Sequence, residues 1–237
     1  MPRGGTVGKF MEREFFDAIG ELREEIRFFV IMGNDDPRIN EKLFLEADKE
    51  GVIDYVHGGI RRFGDLNVVG YSMVPPSPFL LKDWELYDVS RHMDPGSVSP
   101  EEGIRTVDSD PRRIRYETIS RQLEDLGSLS DPSETIYLFH APPYNTPLDR
   151  AGLDGVMVDH APLDVHVGSI AIRRFIEKRQ PLLTLHGHIH ESRTITGKWR
   201  HLLGRTWCFN GSNDGRELSL IRFDTDDIPS ASLELLD

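Results

Sequence analysis

Cysteine is almost missing from this chain: of its 237 residues only Cys208 is one. That excludes an internal disulfide and any metal site built on thiolates. Cys208 sits between Trp207 and Phe209 in an apolar, strand-like run, where a thiol reads as buried filler rather than a nucleophile. Long apolar runs are missing as well. No stretch of about 18 residues is apolar enough for a membrane span, and the N-terminus carries no secretory apolar region. The expectation is a cytoplasmic protein with no membrane partner. Positive charge is scarce: 28 Lys and Arg against 40 Asp and Glu leave a net charge of -12. That balance disfavours nucleic acid as a general partner. With 38% hydrophobic and 29% charged residues, the composition is that of an ordinary globular domain, read as one unit over residues 1–237.

What is present alternates between helical and strand patterns. Phe10, Phe15, Ile19, Leu22 and Ile26 have helical spacing over residues 8–26. Residues 27–32 form an apolar strand that stops at Gly33, and residues 39–47 a short helix. Residues 52–55, 60–63 and 67–72 look like a three-stranded meander. Residues 74–112 are rich in Pro, Asp, Ser and Gly and too long for a simple connection, so they read as a functional or capping loop. A helix over 116–126 and a strand over 135–139 follow, the latter ending at His140. Residues 141–167 are a second long loop, residues 169–178 a helix, and residues 181–185 a short buried strand. The segments 202–210, 217–223 and 232–236 are strand-like.

Polar clusters follow three of these strands. The last is the densest, with three histidines in five residues, His186, His188 and His190. A Gly-His-x-His where a strand stops points two imidazoles into one crevice, and imidazole is a common ligand of Zn, Fe, Ni and Cu. Gly187 is expected to supply the turn and the room. The first cluster is Gly33-Asn34-Asp35-Asp36-Pro37, all turn-forming residues. The middle one is His140 before Ala141-Pro142-Pro143. Ligands bind at the carboxyl ends of strands in such sheets, so the three can share a crevice.

In this order the clusters resemble the calcineurin-like metallophosphoesterases, over roughly residues 28–212. That family's motifs run Asp-x-His, Gly-Asp-x-x-Asp, Gly-Asn-(His/Asp)-(Asp/Glu), a later histidine, and Gly-His-x-His. This chain carries Gly33-Asn34-Asp35-Asp36, His140 and Gly187-His188-Ile189-His190. Phe209-Asn210-Gly211-Ser212 is similar to the Asn-Pro-Gly-Ser that often follows, with Asn210 in place of the proline. The first two motifs have no counterpart before Asn34. Asp164-Val165-His166 and Gly64-Asp65-Leu66-Asn67 imitate them, but both come after Gly33-Asn34.

The resemblance implies an α/β fold, a four-layer αββα sandwich with two mixed sheets and the site along their carboxyl edge, here without the first β-α-β unit. It implies a phosphoesterase that holds two divalent metals, Mn, Fe, Zn or Ni, which activate a water against a phosphate mono- or diester. Asn34, His140 and His188 would ligate one metal and His190 the other, with at most one well-formed site and impaired turnover. His186 would support the metal histidines from the strand. Asp35 stands where many relatives have a proton-donating histidine, and it is either a catalytic carboxylate or a turn residue. His166, followed by Gly168-Ser169 at a helix start, is a second proton-donor candidate or an ordinary loop histidine. His57 and His92 read as surface residues, and Tyr144 and Asp149, in the loop after His140, either line the substrate cleft or belong to a solvated loop. Expected partners are a small phosphate ester or a phosphoprotein as substrate, with a second copy of the chain or a separate N-terminal fragment covering exposed edges. A non-catalytic remnant serving as an interaction module is the alternative.

Overall fold

Short apolar segments with β-branched and aromatic residues favour buried strands, and these segments build one large sheet. The structure is a computed structural model that describes residues 14–237. The strands are β1 (Phe29–Val30), β2 (Asp54–Tyr55), β3 (Ile60–Phe63), β4 (Leu66–Tyr71), β5 (Thr135–Phe139) and β6 (Met157–Val158). They continue with β7 (Ala161–Pro162), β8 (Leu183–His186), β9 (Arg200–Leu203), β10 (Thr206–Asn210), β11 (Leu218–Arg222) and β12 (Ser232–Leu236). Six of them form a mixed sheet in the order β3-β4-β5-β8-β10-β9. Its middle strands β4, β5, β8 and β10 are parallel, and β3 and β9 close the two edges antiparallel. The pairs β1-β2, β6-β7 and β11-β12 are two-stranded.

The helices are α1 (Phe16–Leu22), α2 (Glu41–Lys49), α3 (Pro111–Tyr116), α4 (Ile119–Leu126), α5 (Ile170–Arg179) and α6 (Ser192–Thr196). Side chains alternate across a strand, so each strand feeds two cores. Val69, Tyr71, Tyr137, Phe139 and Cys208 pack on one face with Leu123 of α4 and Ile172, Phe175 and Ile176 of α5. Ile136, Leu183 and Phe209 pack on the other with Ile221 of β11 and with Phe223. The chain is a mixed α/β protein with the layering of an α/β sandwich. No helix among the described residues is long and apolar enough to cross a membrane.

Several expectations are corrected. The expected helix over 8–26 is described only from residue 14 on, and Phe10 lies outside the described residues. The meander does not form, because β2 pairs in parallel with β1 and the chain then reverses at Gly58. Gly70 makes this crossing possible: a Cβ there would stand 2.6 Å from both Ile31 and Val56 side chains. The helix expected over 116–126 breaks at Glu117–Thr118, where the backbone is extended and Thr118 caps α4 by accepting from the Arg121 N–H.

The segment 74–110 has little regular structure yet buries charged residues. Lys82 and Glu85 are fully buried and paired, with Lys82 Nζ also donating to Ser77 O at 2.8 Å. Trp84 is fully buried beside them, and Asp83 accepts from the backbone N–H groups of Arg38 and Thr106, each at 2.8 Å.

Candidate metal centre

The parallel strands bring their carboxyl ends to one edge, and backbone hydrogen bonds extend the ladder past them. His140 N–H donates to Tyr71 O, Gly187 N–H to His140 O and Gly211 N–H to His186 O, each at 3.0 Å. The backbone at His140 and Gly187 is therefore fixed before any side chain acts.

Asn34 enters from the turn after β1. Asp36 N–H donates to Gly33 O at 3.1 Å, and the Asp36 carboxylate accepts from Gly33 N–H at 2.7 Å. Trp84 Nε1–H, from the buried part of segment 74–110, holds Asp36 O at 2.8 Å. Burial pushes the Asp36 carboxyl up, the Gly33 N–H opposes this, and the Asp35 charge adds to it.

Three atoms converge. Asn34 Oδ1 lies 2.8 Å from His140 Nε2 and 2.8 Å from His188 Nδ1, although these residues are far apart in sequence. The two imidazole centroids are 5.1 Å apart. Asn34 Nδ2 donates to Asp35 Oδ1 at 3.1 Å, which orients the amide so that its oxygen faces the histidines. Asp35 itself is exposed and touches neither imidazole by hydrogen bond. Gly33 is required by close approach, since a Cβ there would meet His140 Cε1 at 2.7 Å and Nε2 at 2.9 Å.

The expected role of Gly187 moves to His188. An added Cβ at Gly187 would only touch His140 Nδ1 at 3.7 Å, an ordinary contact. His188 instead takes the left-handed φ of +72°, and Ile189 N–H donates to Gly187 O at 2.9 Å. That is a tight γ-turn centred on a non-glycine residue, the kind of strain that accumulates at functional sites. Burial pushes His188 down to about 3, with His140 and His190 acting in the same direction. Burial also pushes His140 down to about 4, again helped by His190. Both rings are therefore neutral near pH 7, the form that ligates metals.

The geometry fits a cation. Ligand atoms at about 2.1 Å from one ion and at right angles to each other stand about 3 Å apart, close to the 2.8 Å separations here. The donor set is one amide oxygen and two imidazole nitrogens. His190 is exposed on the same turn and near enough to influence both other rings. No group of three His, Cys, Asp or Glu side chains is gathered for a metal among the described residues, so a cation bound here would need the Asn34 amide as its third donor.

Other expected residues lie elsewhere in the network. His186 is buried, donates from Nδ1 to Ala141 O at 2.9 Å and pairs its Nε2 with the Thr184 hydroxyl at 2.8 Å. It hydrogen-bonds none of the other site histidines and instead holds the backbone one residue after His140. Burial pushes it down to about 4, with the Ala141 carbonyl opposing. His166 Nδ1 donates to Asp149 Oδ1 at 2.8 Å. Asp149 is not in a solvated loop. It is fully buried and also accepts from the N–H groups of Asn145, Thr146 and Gly168. His57 is no surface residue: it packs edge-on to Trp84 at 4.9 Å, accepts from Ser72 N–H at 3.1 Å, and is pushed down to about 4 by burial. Neither Asp149 nor Trp84 carried a motif, and only the turn-forming Asn145-Thr146-Pro147 before Asp149 hinted at a built loop.

No family model matches this sequence, and no curated protein matches it. Six solved chains match it, among them two that show its fold. One is 24% identical with a TM-score of 0.60, over 94% of this chain and 70% of its own length. The other, TT1561 of Thermus thermophilus, is 18% identical with a TM-score of 0.54, over 94% of this chain and 77% of its own. At these identities the likeness establishes the fold alone.

Proposed function

We propose that this chain is a metal-dependent phosphoesterase, which hydrolyses phosphate mono- or diesters in the cytoplasm. The observation that supports it most is the convergence of Asn34 Oδ1, His140 Nε2 and His188 Nδ1 within 2.8 Å contacts. These three would hold a divalent ion such as Mn, Fe, Zn or Ni, with His190 beside it. When bound, such an ion supplies Lewis acidity and lowers the pKa of a bound water.

The remaining roles belong to the chain itself. Asp35 keeps the Asn34 amide from rotating. Gly33 leaves room for the His140 ring, and His186 fixes the carbonyl that follows it. His166, with its Nδ1–H committed to the buried Asp149 carboxylate, has its tautomer and ring orientation set. As the imidazolium, with Nδ1–H on Asp149, the ring would carry a second proton on Nε2 to pass to a leaving alkoxide, the task that Asp35, an exposed carboxylate, is poorly suited to. The substrate is a phosphate ester of a small molecule or a phosphoprotein.

A second reading, a non-catalytic scaffold, is favoured by the lack of any three-membered His, Cys, Asp or Glu cage among the described residues. One experiment separates the two. The full chain is titrated calorimetrically with Mn, Zn, Fe(II) and Ni, then assayed on p-nitrophenyl phosphate, its diester and an alkyl phosphate. The phosphoesterase reading expects chelator-sensitive turnover that H188Q abolishes. H166Q should slow the alkyl ester far more than the p-nitrophenyl ester, whose leaving group needs no proton. Metal binding without turnover on any ester would establish the scaffold, and no metal binding would refute the phosphoesterase.

A further inference from the structure

Behind the turn that carries Asn34 lies a cavity of about 300 Å³ that shares no lining residue with the Asn34, His140 and His188 cluster. Three guanidinium groups line it, from Arg38, Arg105 and Arg113, together with His57 and Gln122. Their hydrogen bonds show which ends are free. His57 uses Nδ1 as the acceptor for Ser72 N–H, so the neutral ring carries its proton on Nε2, which has no partner among the described residues. Gln122 uses Oε1 as the acceptor for the Tyr71 hydroxyl at 2.9 Å, which leaves its NH₂. Arg38 pairs with Glu41 through Nε alone and stacks over Trp84 at 4.7 Å. Arg105 reaches backbone carbonyls through its terminal nitrogens, and its buried Nε has no partner among the described residues. Arg113 forms no ion pair or side-chain hydrogen bond with the described residues.

The free polar ends of His57, Gln122 and the three arginines are therefore donors. The opposing groups are two exposed carboxylates, Asp108 and Asp110, the latter accepting from the Arg112 N–H through one oxygen as it caps α3. Met73, Leu86 and Ile114 supply an apolar wall. Three guanidinium groups outnumber the two carboxylates, and with His57 and Gln122 they supply donors that match the oxygens of a phosphoryl group, which arginine grips bidentately. The volume is at the small end of ligand pockets, enough for a ligand no larger than a mononucleotide.

We propose that this cavity is a second, non-catalytic anion site that binds a small organic phosphate, its phosphoryl oxygens on Arg38, Arg105, Arg113, His57 and Gln122 and its apolar part against Met73, Leu86 and Ile114. It stands whether or not the histidine cluster catalyses anything.

The test is calorimetric titration of the full chain in chelator, at physiological ionic strength, with phenyl phosphate, pyrophosphate, inorganic phosphate and citrate as probes. Phenyl phosphate is expected to bind most tightly of the four. Arg113→Gln, a change on an exposed side chain, should weaken it at least tenfold, whereas Arg112→Gln on the same helix should not. Asp108→Asn should tighten it by removing a competing carboxylate. No binding by any probe overturns the proposal. So does equal weakening by R112Q and R113Q, which would mean diffuse attraction to the surface. Citrate binding as tightly as phenyl phosphate refutes the ligand class. Loss of binding in H188Q with R113Q unaffected would place the anion at the histidine cluster instead.

Discussion

The left-handed backbone at His188 costs a non-glycine residue about 1–2 kcal/mol, which the fold must supply from elsewhere. A clean measure compares two truncations that both delete the imidazole. H188G is expected to be more stable than H188A by about 1 kcal/mol, the reverse of their usual order within helices and strands. Urea midpoints of the two variants in chelator decide it, and equal midpoints would mean the turn is relaxed. The same residues set a pH dependence. His57, His140 and His186 are held near 4 and His188 near 3, all below the ordinary 6.5. The unfolded chain takes up these protons around pH 6.5 and the folded one refuses them. Stability is therefore whole above that value and drains as pH falls toward 4. His186, which no other titratable group perturbs, should alone remove about 1.5 kcal/mol between pH 6.5 and 5. Urea unfolding across this range should show a steadily falling midpoint, and a flat profile would refute the buried neutral rings. The positions of Asn34, His140 and His188 could be read because they occur in motifs after apolar runs. Asp149 and His57 could not, because a polar letter reads as surface until its buried partners are known.

Between elements, the segment 74–110 behaves as a packed part of the core rather than as a flexible cap. Trp84 reaches the Asn34 turn, and Asp88 caps α5 by accepting from the Ser169 hydroxyl and the Ile170 N–H. The Lys82–Glu85 pair, on either side of Trp84 in the chain, has no exposure at all. Burial pushes Glu85 up, and its bonds to Lys82 and Ser77 pull it back, so removing Lys82 leaves a buried charge without its ion-pair partner. K82M is expected to cost about 3–5 kcal/mol, and K82M combined with E85M to recover most of it. Urea unfolding of both variants checks this, and a double variant as unstable as the single one would mean the pair fixes geometry beyond its charges. Strands β5 and β8 emerged within a residue or two of expectation, because central parallel strands are continuous apolar runs bounded by breakers. Helix α3 buries none of its residues, so it has no apolar face to detect, and α6 is too short to show a period.

Across the whole molecule the six-stranded sheet must be covered on both faces, and the two covers differ in strength. Helices α4 and α5 bury the Tyr137 and Phe139 face. The opposite face, with Leu183 and Phe209 fully buried and Ile136 nearly so, has the β11–β12 hairpin as its strand cover. Chain end and core are thus coupled: the last twenty or so residues look peripheral in sequence but complete the packing of the strands that carry His140 and His188. Uncovering three such side chains forfeits roughly 1.5–3 kcal/mol each, a loss comparable to the whole stability of an ordinary domain. A chain ending at Arg216 is therefore expected to lose its cooperative unfolding transition, to bind ANS, and to bind divalent metal no better than H188Q. The full-length I221A variant, which trims one contact of the same hairpin, should keep a cooperative transition at a lower urea midpoint. If the shortened chain instead unfolds cooperatively at the full-length midpoint, the second face is not part of the core, and the strand ends are held in register by the helical face alone.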